Sequence, residues 1–203
     1  MVKENKKWKM KKLLLIFLGG IILFLAFGFV VYNGYKSSIL VKLKQQDSQI
    51  EKIWKSLYQK SSSRILAIEN LANNPNCDKG IIDSIIDKNK TSRSLNQVDE
   101  LWNLEYEVNK AYLNLEKCIE EQPDNKIKLD PLKLNAEELN KIVDEYNSNV
   151  LDFNKYYSTF PNFIFGGKEG IQRKKFFYLK YGENNEDYYN QKKKTDEWIE
   201  TGE

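Results

Sequence analysis

The chain contains no histidine, and this absence removes several classes of function at once. Histidine is the commonest general base and transition-metal ligand in proteins, and Ser-His or Cys-His catalytic pairs require it. Carboxylate clusters such as Asp99-Glu100 and Glu120-Glu121 are present, but a di-iron bundle also needs Glu-x-x-His pairs, so we interpret these clusters as solvated helix faces. We therefore expect no catalytic residues, no metal site and no cofactor.

Cysteine is also scarce, because the chain holds only Cys77 and Cys118. Two thiols alone cannot build a four-ligand zinc site. If residues 78–122 form one helix, the two cysteines lie about 60 Å apart. If the chain instead reverses near residues 89–93, Cys77 faces the middle of the longer helix. Both arrangements exceed the reach of a disulfide, so the sequence predicts two unpaired thiols, with Cys118 buried and Cys77 accessible.

Excess charge is small outside the N-terminus. The first twelve residues carry six lysines and one glutamate, so they hold +5 and the remaining chain holds −2 of the net +3. Nothing in that remainder indicates a nucleic-acid surface. A phosphate-binding loop is absent too, because Gly166-Gly167-Lys168 lacks the leading glycine and the Ser/Thr of a P-loop.

One stretch lacks charge altogether. Residues 13–32, LLLIFLGGIILFLAFGFVVY, form an apolar run that spans about 30 Å as a helix, the thickness of a bilayer's hydrocarbon core. A cleaved signal peptide is the alternative, but this run is longer than the apolar region of signal peptides. The N-terminal lysines outnumber Lys36, Lys42 and Lys44 after the run, which predicts a cytoplasmic N-terminus. We expect a single-pass protein of the cell (inner) membrane with its remaining residues extracytoplasmic.

A second helix is predicted to continue from this run to about residue 73. Its apolar stripe repeats at spacings of three and four and comprises Ile50, Trp54, Leu57, Ile68 and Leu71. Ser61 and Arg64 interrupt the stripe. Either the helix rotates there, or Arg64 is partly buried and paired, or its stem lies along the stripe with its head in water; the last interpretation is favoured.

Further helical patterns follow a reversal at Asn74-Pro75-Asn76. Asp78 can cap a helix with an isoleucine face, and Asp130-Pro131 begins a long heptad pattern that Pro161 ends. The apolar positions are Ile81, Ile82, Ile85 and Ile86; Leu101, Leu104, Val108, Ala111, Leu115 and Cys118; and Leu132, Ala136, Leu139, Val143, Tyr146, Val150, Phe153, Tyr157 and Phe160. The sequence therefore predicts an all-α fold, in which an N-terminal transmembrane helix precedes an extended up-and-down (antiparallel) bundle of three to four long helices.

The C-terminal region differs in composition. An aromatic strip around residues 176–181 either folds back on the bundle or offers a surface to a partner or to lipid headgroups. The polar tail beyond Gly182 is expected to be mobile. We thus divide the chain into a basic N-terminus (1–12), a transmembrane helix (13–32), a helical bundle (33–165) and an aromatic then polar tail (166–203).

Motifs at both ends of the bundle resemble a known family. Three pairs recur at seven-residue spacing near the end of the long heptad pattern, namely Tyr146-Asn147, Phe153-Asn154 and Phe160-Pro161. Near the front of the predicted bundle stand Trp54, Arg64 and Asn70. These nine residues are similar to the signatures of the LemA family of bacterial membrane-anchored proteins, and the resemblance covers roughly residues 13–181. Two positions depart from the pattern: Glu69 stands where the family usually has proline, and Ser61 where it usually has leucine.

The resemblance implies a membrane helix followed by a helical bundle, and it implies no catalytic residues. Family members are often encoded beside membrane-associated proteases, so it implies an envelope protein partner, and a homo-oligomer is compatible with it. Our first hypothesis is a non-enzymatic interaction or scaffold protein. The alternative is an extracytoplasmic bundle that senses a ligand and acts through a partner membrane protein; a hydrolase ranks third.

Overall fold

The structure, a computed structural model, describes residues 2–72, 79–95, 97–120 and 129–201. Within these ranges every regular element is helical, which confirms the predicted all-α class. The helices in chain order are α1 (Val2–Ala72), α2 (Lys79–Ser92), α3 (Val98–Glu120), α4 (Asp130–Ser158), α5 (Asn162–Lys168) and α6 (Glu186–Thr201).

The first helix is unbroken from the basic N-terminus through the apolar run and on to Ala72, so the apolar run continues into the next helix as predicted. The large apolar side chains of residues 13–32 are all exposed. This part of α1 is long and apolar enough to cross a membrane, with a mean hydropathy of 2.9 over its best 18-residue window. The predicted helix end at residues 74–76 and the Asp78 cap lie outside the described residues.

The middle of the chain consists of two helices, so the choice left open by the sequence is resolved. Residues 93–97 connect α2 to α3, and so short a connection makes the two helices antiparallel neighbours. The Asn89 side chain donates to the Leu104 carbonyl oxygen across this pair, at 2.9 Å.

The prediction of two unpaired thiols is wrong, because Cys118 is disulfide-bonded and the described residues hold no free cysteine. Helix α2 continues to Ser92 and α3 begins at Val98, so the reversal lies a few residues later than the predicted residues 89–93. This shift changes which residues of α2 and α3 face each other. The start of α2 lies level with the last two turns of α3, and not with its middle as the sequence analysis expected. Cys77, the second cysteine of the sequence, lies outside the described residues.

The long heptad pattern forms α4, which begins at Asp130 as predicted. The backbone amides of Leu132 and Lys133 both donate to the Leu129 carbonyl oxygen at 3.0 Å, which closes its first turn. The helix ends at Ser158, just before Pro161, whose peptide bond with Phe160 is cis. Neither α5 nor α6 was predicted, and α6 occupies the tail that we expected to be mobile.

The chain forms two compact units. Unit 1 consists of Met1–Gln45 and Tyr156–Gln172, and unit 2 consists of Gln46–Lys155 and Arg173–Glu203. In unit 1, α5 packs on α1 through Phe165 and Gly166. A Cβ atom on Gly166 would lie 2.9 Å from the Tyr157 ring and 3.2 Å from the Leu43 side chain, so this close approach requires glycine.

Unit 2 contains the larger core, which α1, α2, α3 and α4 build together. Its apolar part includes Ile65, Ile68, Ile86, Val108, Tyr112, Leu115, Ile119, Leu129 and Leu132. Five of these nine residues, namely Ile68, Ile86, Val108, Leu115 and Leu132, lie on the apolar patterns read from the sequence. Leu101, Leu139, Val150 and Phe153 continue the core and are 0% exposed.

Candidate functional site

Three asparagines on α4 bind the backbone of the C-terminal region. Asn140, Asn147 and Asn154 lie seven residues apart, and each side-chain amide makes two hydrogen bonds with one residue of the chain after α5. We call these three residues the asparagine ladder and residues 173–182 the docked segment. The Oδ1 atoms accept from the amides of Tyr181 (2.8 Å), Phe177 (2.9 Å) and Lys174 (2.9 Å), and the Nδ2 atoms donate to the same residues' carbonyl oxygens at 3.0, 2.7 and 2.9 Å.

The spacing of the ladder matches an extended chain. Seven residues of helix advance about 10.5 Å, which equals about three residues of extended backbone. The bound residues are Lys174, Phe177 and Tyr181, so they recur every three or four positions. Their numbers fall as the α4 numbers rise, so the docked segment runs antiparallel to α4. Residues 171–180 have no helix or strand of their own, and the ladder supplies hydrogen bonds that a sheet partner would otherwise provide.

An aromatic cluster covers the middle of the docked segment. The Trp54 ring lies 5.3 Å from the Tyr146 ring and 5.6 Å from the Phe177 ring between centroids. Trp54 Nε1 donates to the Leu95 carbonyl oxygen at 2.6 Å, and the Tyr146 hydroxyl donates to the Lys175 carbonyl oxygen at 2.9 Å. Trp54 on α1 therefore holds both the α2–α3 connection and the docked segment.

A turn at residues 181–185 ends the docked segment. Gly182 has φ +78°, a conformation that glycine adopts without strain. Its amide donates to Oδ1 of Asn109 at 2.8 Å, and Nδ2 of Asn109 donates to the Glu183 carbonyl oxygen at 2.8 Å. Asn185 closes the turn by accepting from the Lys180 amide and donating to the Lys180 carbonyl oxygen, both at 2.8 Å.

Arg64 lies beneath this turn and is 1% exposed. Its Nη2 donates to Oδ1 of Asn109 at 3.3 Å, and its guanidinium lies 4.7 Å from the Tyr112 ring centre and 5.1 Å from that of Tyr181. The interpretation with the arginine head in water is therefore wrong; the paired and buried alternative is the observed one. Aromatic faces at these distances attract a desolvated cation, which partly replaces its lost hydration.

A buried ion pair adjoins Arg64. Arg93, in the α2–α3 connection, pairs with Glu105 of α3, and their side chains are 5% and 0% exposed. Arg93 also donates to Oδ1 of Asn89 at 2.7 Å and to the Ser61 hydroxyl. Ser61 and Arg64, which interrupt the apolar stripe of α1, thus both belong to one buried polar network.

Burial governs the ionisation of this network. Desolvation lowers the pKa of Arg64, while the negative charge of Glu105 opposes that shift. Burial raises the pKa of Tyr112 to about 12, with Glu116 contributing in the same direction, and burial raises that of Tyr146 to about 12. The pKa of Tyr181 is raised well above its usual value, first by burial and then by Glu105. All three tyrosines therefore stay neutral at physiological pH.

Two open grooves lie on unit 2. One, of about 280 Å³, lies between α3 and the residues before α6, where Tyr106, Asn109, Lys110 and Asn185 line it. The other, of about 380 Å³, lies beside Trp54, Leu95, Tyr146 and Lys174. Among the described residues, no group of three or more His, Cys, Asp and Glu side chains could hold a metal ion.

The structure brings together six of the nine motif residues. Trp54, Tyr146, Asn147 and Asn154 contact the docked segment, while Arg64 and Phe153 are buried in the same unit. Asn70 is an exposed residue of α1. Phe160 and Pro161 belong to unit 1, and Phe160 is 74% exposed.

Sequence analysis missed four residues of the site. Asn140 stands one heptad before Asn147, so the spacing of the ladder was visible in the sequence. Arg93, Glu105 and Asn109 carried no comparable signal, because charged and amide residues are common on solvated helix faces.

Comparison with protein-family models gives no match, and comparisons with curated proteins and with solved structures give none either.

Proposed function

We propose that this chain is a single-pass membrane-anchored scaffold protein of the bacterial cell envelope, similar to the LemA family, with no enzymatic activity of its own. Its N-terminus is cytoplasmic, and its helical bundle stands outside the inner membrane and binds an envelope protein, such as a membrane protease.

The observation that carries this proposal is the continuity of α1. One helix holds the exposed apolar run of residues 13–32 and, further along, the buried residues Ile50, Trp54, Leu57 and Ile68. The residues that would cross the membrane and residues of the unit 2 core therefore belong to one helix. The six lysines before the run support the cytoplasmic N-terminus.

Protease accessibility tests the orientation. Spheroplasts carrying the full chain with a C-terminal tag are treated with external protease, and a cytoplasmic protein serves as the lysis control. We expect loss of the tag while the control protein survives. Retention of the tag until the cells are lysed would show that the bundle is cytoplasmic.

Affinity capture from detergent-solubilised membranes tests the scaffold function. The full chain should retain a reproducible envelope protein, and residues 1–45 alone, which contain the anchor, should not. Equal retention by both would show that the bundle binds no partner.

One observation favours ligand sensing as a second candidate. The groove beside Tyr106 is open, carries the polar side chains of Asn109, Lys110 and Asn185, and lies next to the buried Arg64 network, so a small polar ligand could reach it. A co-purified metabolite that raises the melting temperature, together with no captured protein, would support the sensor over the scaffold.

A further inference from the structure

Unit 1 exposes an apolar surface on α5 and on the turn before it. Phe160 is 74% exposed, Phe163 is 44% exposed and Ile164 is 36% exposed. The Phe160 and Phe163 rings lie 6.4 Å apart between centroids, so they form one patch. We call these three residues the α5 patch.

The opposite face of α5 is fixed to α1. Asn162, Phe165 and Gly166 are buried, and Asn162 donates to the Tyr156 carbonyl oxygen at 2.8 Å. The α5 patch is therefore held on a rigid support and faces away from the residues that α5 packs on. Burying the exposed parts of these three apolar side chains is favourable, a gain that unit 1 does not take up within its described residues.

Contacts within unit 1 place α5 directly beyond the apolar run. The Phe165 ring contacts the Tyr32 ring edge-on, with centroids 5.8 Å apart, and Tyr32 is the last residue of that run. Glu169, just after α5, lies 3.9 Å from both Lys36 and Lys44 between charged atoms. The helix therefore lies beside residues 32–44 of α1, which rise about 18 Å from the end of the run.

The lower end of this range, where Phe165 contacts Tyr32, corresponds to the surface of a membrane that α1 crosses. Headgroup regions add roughly 5–7 Å on each side of the hydrocarbon core, and tyrosine side chains such as Tyr32 and Tyr35, both at least half exposed, are favoured there. Amphipathic helices with Phe, Leu or Trp on one face lie in this layer and bury that face at the boundary between headgroups and acyl chains.

We propose that α5 is an interfacial membrane-binding element, in which Phe160, Phe163 and Ile164 insert into the outer leaflet beside the transmembrane part of α1. The ligand of this surface is the lipid bilayer itself. The inference rests on the proposed membrane anchor, and it adds a second membrane contact about 130 residues later in the chain.

Site-specific fluorescence tests the inference on the full chain reconstituted in phosphatidylcholine and phosphatidylglycerol vesicles. Phe163→Cys is labelled with an environment-sensitive fluorophore under non-reducing conditions, so that the native disulfide stays intact. Ile164→Cys provides a second label in the same patch. Phe24→Cys marks the anchor, and Lys141→Cys marks an exposed position on α4.

We expect lipids with a spin label near the headgroup to quench most of the emission at positions 163 and 164, and none at 141. A second change, Phe160→Asp, should reduce quenching at 163 and leave position 24 unaffected.

Quenching at 24 without quenching at 163 and 164 would overturn the inference and leave the anchor standing. Blue-shifted but unquenched emission at 163 would assign the patch to a protein occupant. Absence of quenching at 24 by deeply labelled lipids would overturn the anchor as well.

Discussion

Arg64 and Arg93 are both buried cations, but they differ in the groups that they pair with. Arg64 has one hydrogen-bond acceptor, Asn109, and two ring faces, and its Nε and Nη1 have no hydrogen-bond acceptor among the described residues. Arg93, in contrast, neutralises the fully buried Glu105. Removing Arg64 leaves the Arg93–Glu105 ion pair intact, whereas removing Arg93 leaves the buried Glu105 carboxylate without its ion-pair partner.

This contrast predicts that the same substitution, arginine to leucine, has different effects on stability at positions 64 and 93. Arg64→Leu should leave the free energy of unfolding unchanged or increase it, because a buried arginine replaced by a hydrophobe sheds a desolvation cost. Arg64→Ala should lower it by about 2–4 kcal/mol through the cavity it leaves. Arg93→Leu should lower it by about 3–5 kcal/mol. Denaturant unfolding measures all three, and Arg93→Leu with Glu105→Gln should recover part of the loss. Equal effects of Arg64→Leu and Arg93→Leu would contradict this ranking.

Residue-level predictions from the sequence succeeded where apolar spacing carried them. Trp54, Tyr146 and Phe153 lie on the predicted apolar stripes and are buried. Asn147 and Asn154 were found through the family resemblance, but their hydrogen bonds to the docked segment were not. The seven-residue spacing of the asparagines is visible in the sequence, but their hydrogen bonds to backbone 20 to 41 residues away are not.

At the scale of elements, the asparagine ladder explains how a segment without regular secondary structure stays on α4. Its bonds go to backbone atoms of Lys174, Phe177 and Tyr181, so they do not depend on which side chains the docked segment carries. The aromatic cluster at Phe177, the buried Tyr181 and the ion pairs of Lys174 with Asp47 and of Lys175 with Asp99 add side-chain contacts.

Replacing the middle member of the ladder should therefore release the docked segment. Asn147→Leu removes two hydrogen bonds and leaves the Phe177 amide and carbonyl oxygen without partners, which costs about 1–3 kcal/mol for each group that stays buried. We expect a loss of about 2–4 kcal/mol and faster proteolysis within residues 173–185. Asn149→Leu is the matched control on the same helix, because Asn149 donates only to the Glu145 carbonyl oxygen of its own helix. Similar proteolysis of both variants would show that the ladder does not hold the segment.

The elements that the sequence predicted are those with long amphipathic patterns. α1, α3 and α4 follow from apolar residues at spacings of three and four, and the start of α4 follows from Asp130-Pro131. α5 has seven residues, two of them glycine, and α6 lacks an apolar stripe, so neither has a pattern to detect. α6 is instead attached through Tyr189, whose ring stacks on Tyr106 with centroids 4.3 Å apart.

For the whole molecule, the buried tyrosines predict an upper pH limit. The pKa of Tyr112 and of Tyr146 is raised by burial to about 12, and burial raises that of Tyr181 well above its usual value, against an unfolded value near 10. Below pH 10 both states keep these protons, so the full stability is present. Between pH 10 and about 12 the unfolded state loses protons that the folded state retains, so stability falls by about 1.4 kcal/mol per pH unit for each tyrosine.

Melting curves from pH 8 to pH 11.5 check this expectation. The melting temperature should be nearly constant up to pH 10 and then fall steeply. Tyr146→Phe should lower it at pH 8, because the hydrogen bond to the Lys175 carbonyl oxygen is lost, but should make the decline above pH 10 shallower. An unchanged slope in this variant would assign the alkaline transition to other groups.

The position of the docked segment in the chain also sets the order in which the protein can be completed. The helices that carry the ladder and Trp54 are synthesised by residue 158, but the backbone that they bind comes at residues 174–181. A product that stops between these points has bare asparagine amides and uncovered aromatic rings on α1 and α4. Exposed apolar surface of this kind is what chaperones and proteases bind in unfinished chains. Docking of residues 173–182 on α4 is therefore a late step in the synthesis of unit 2.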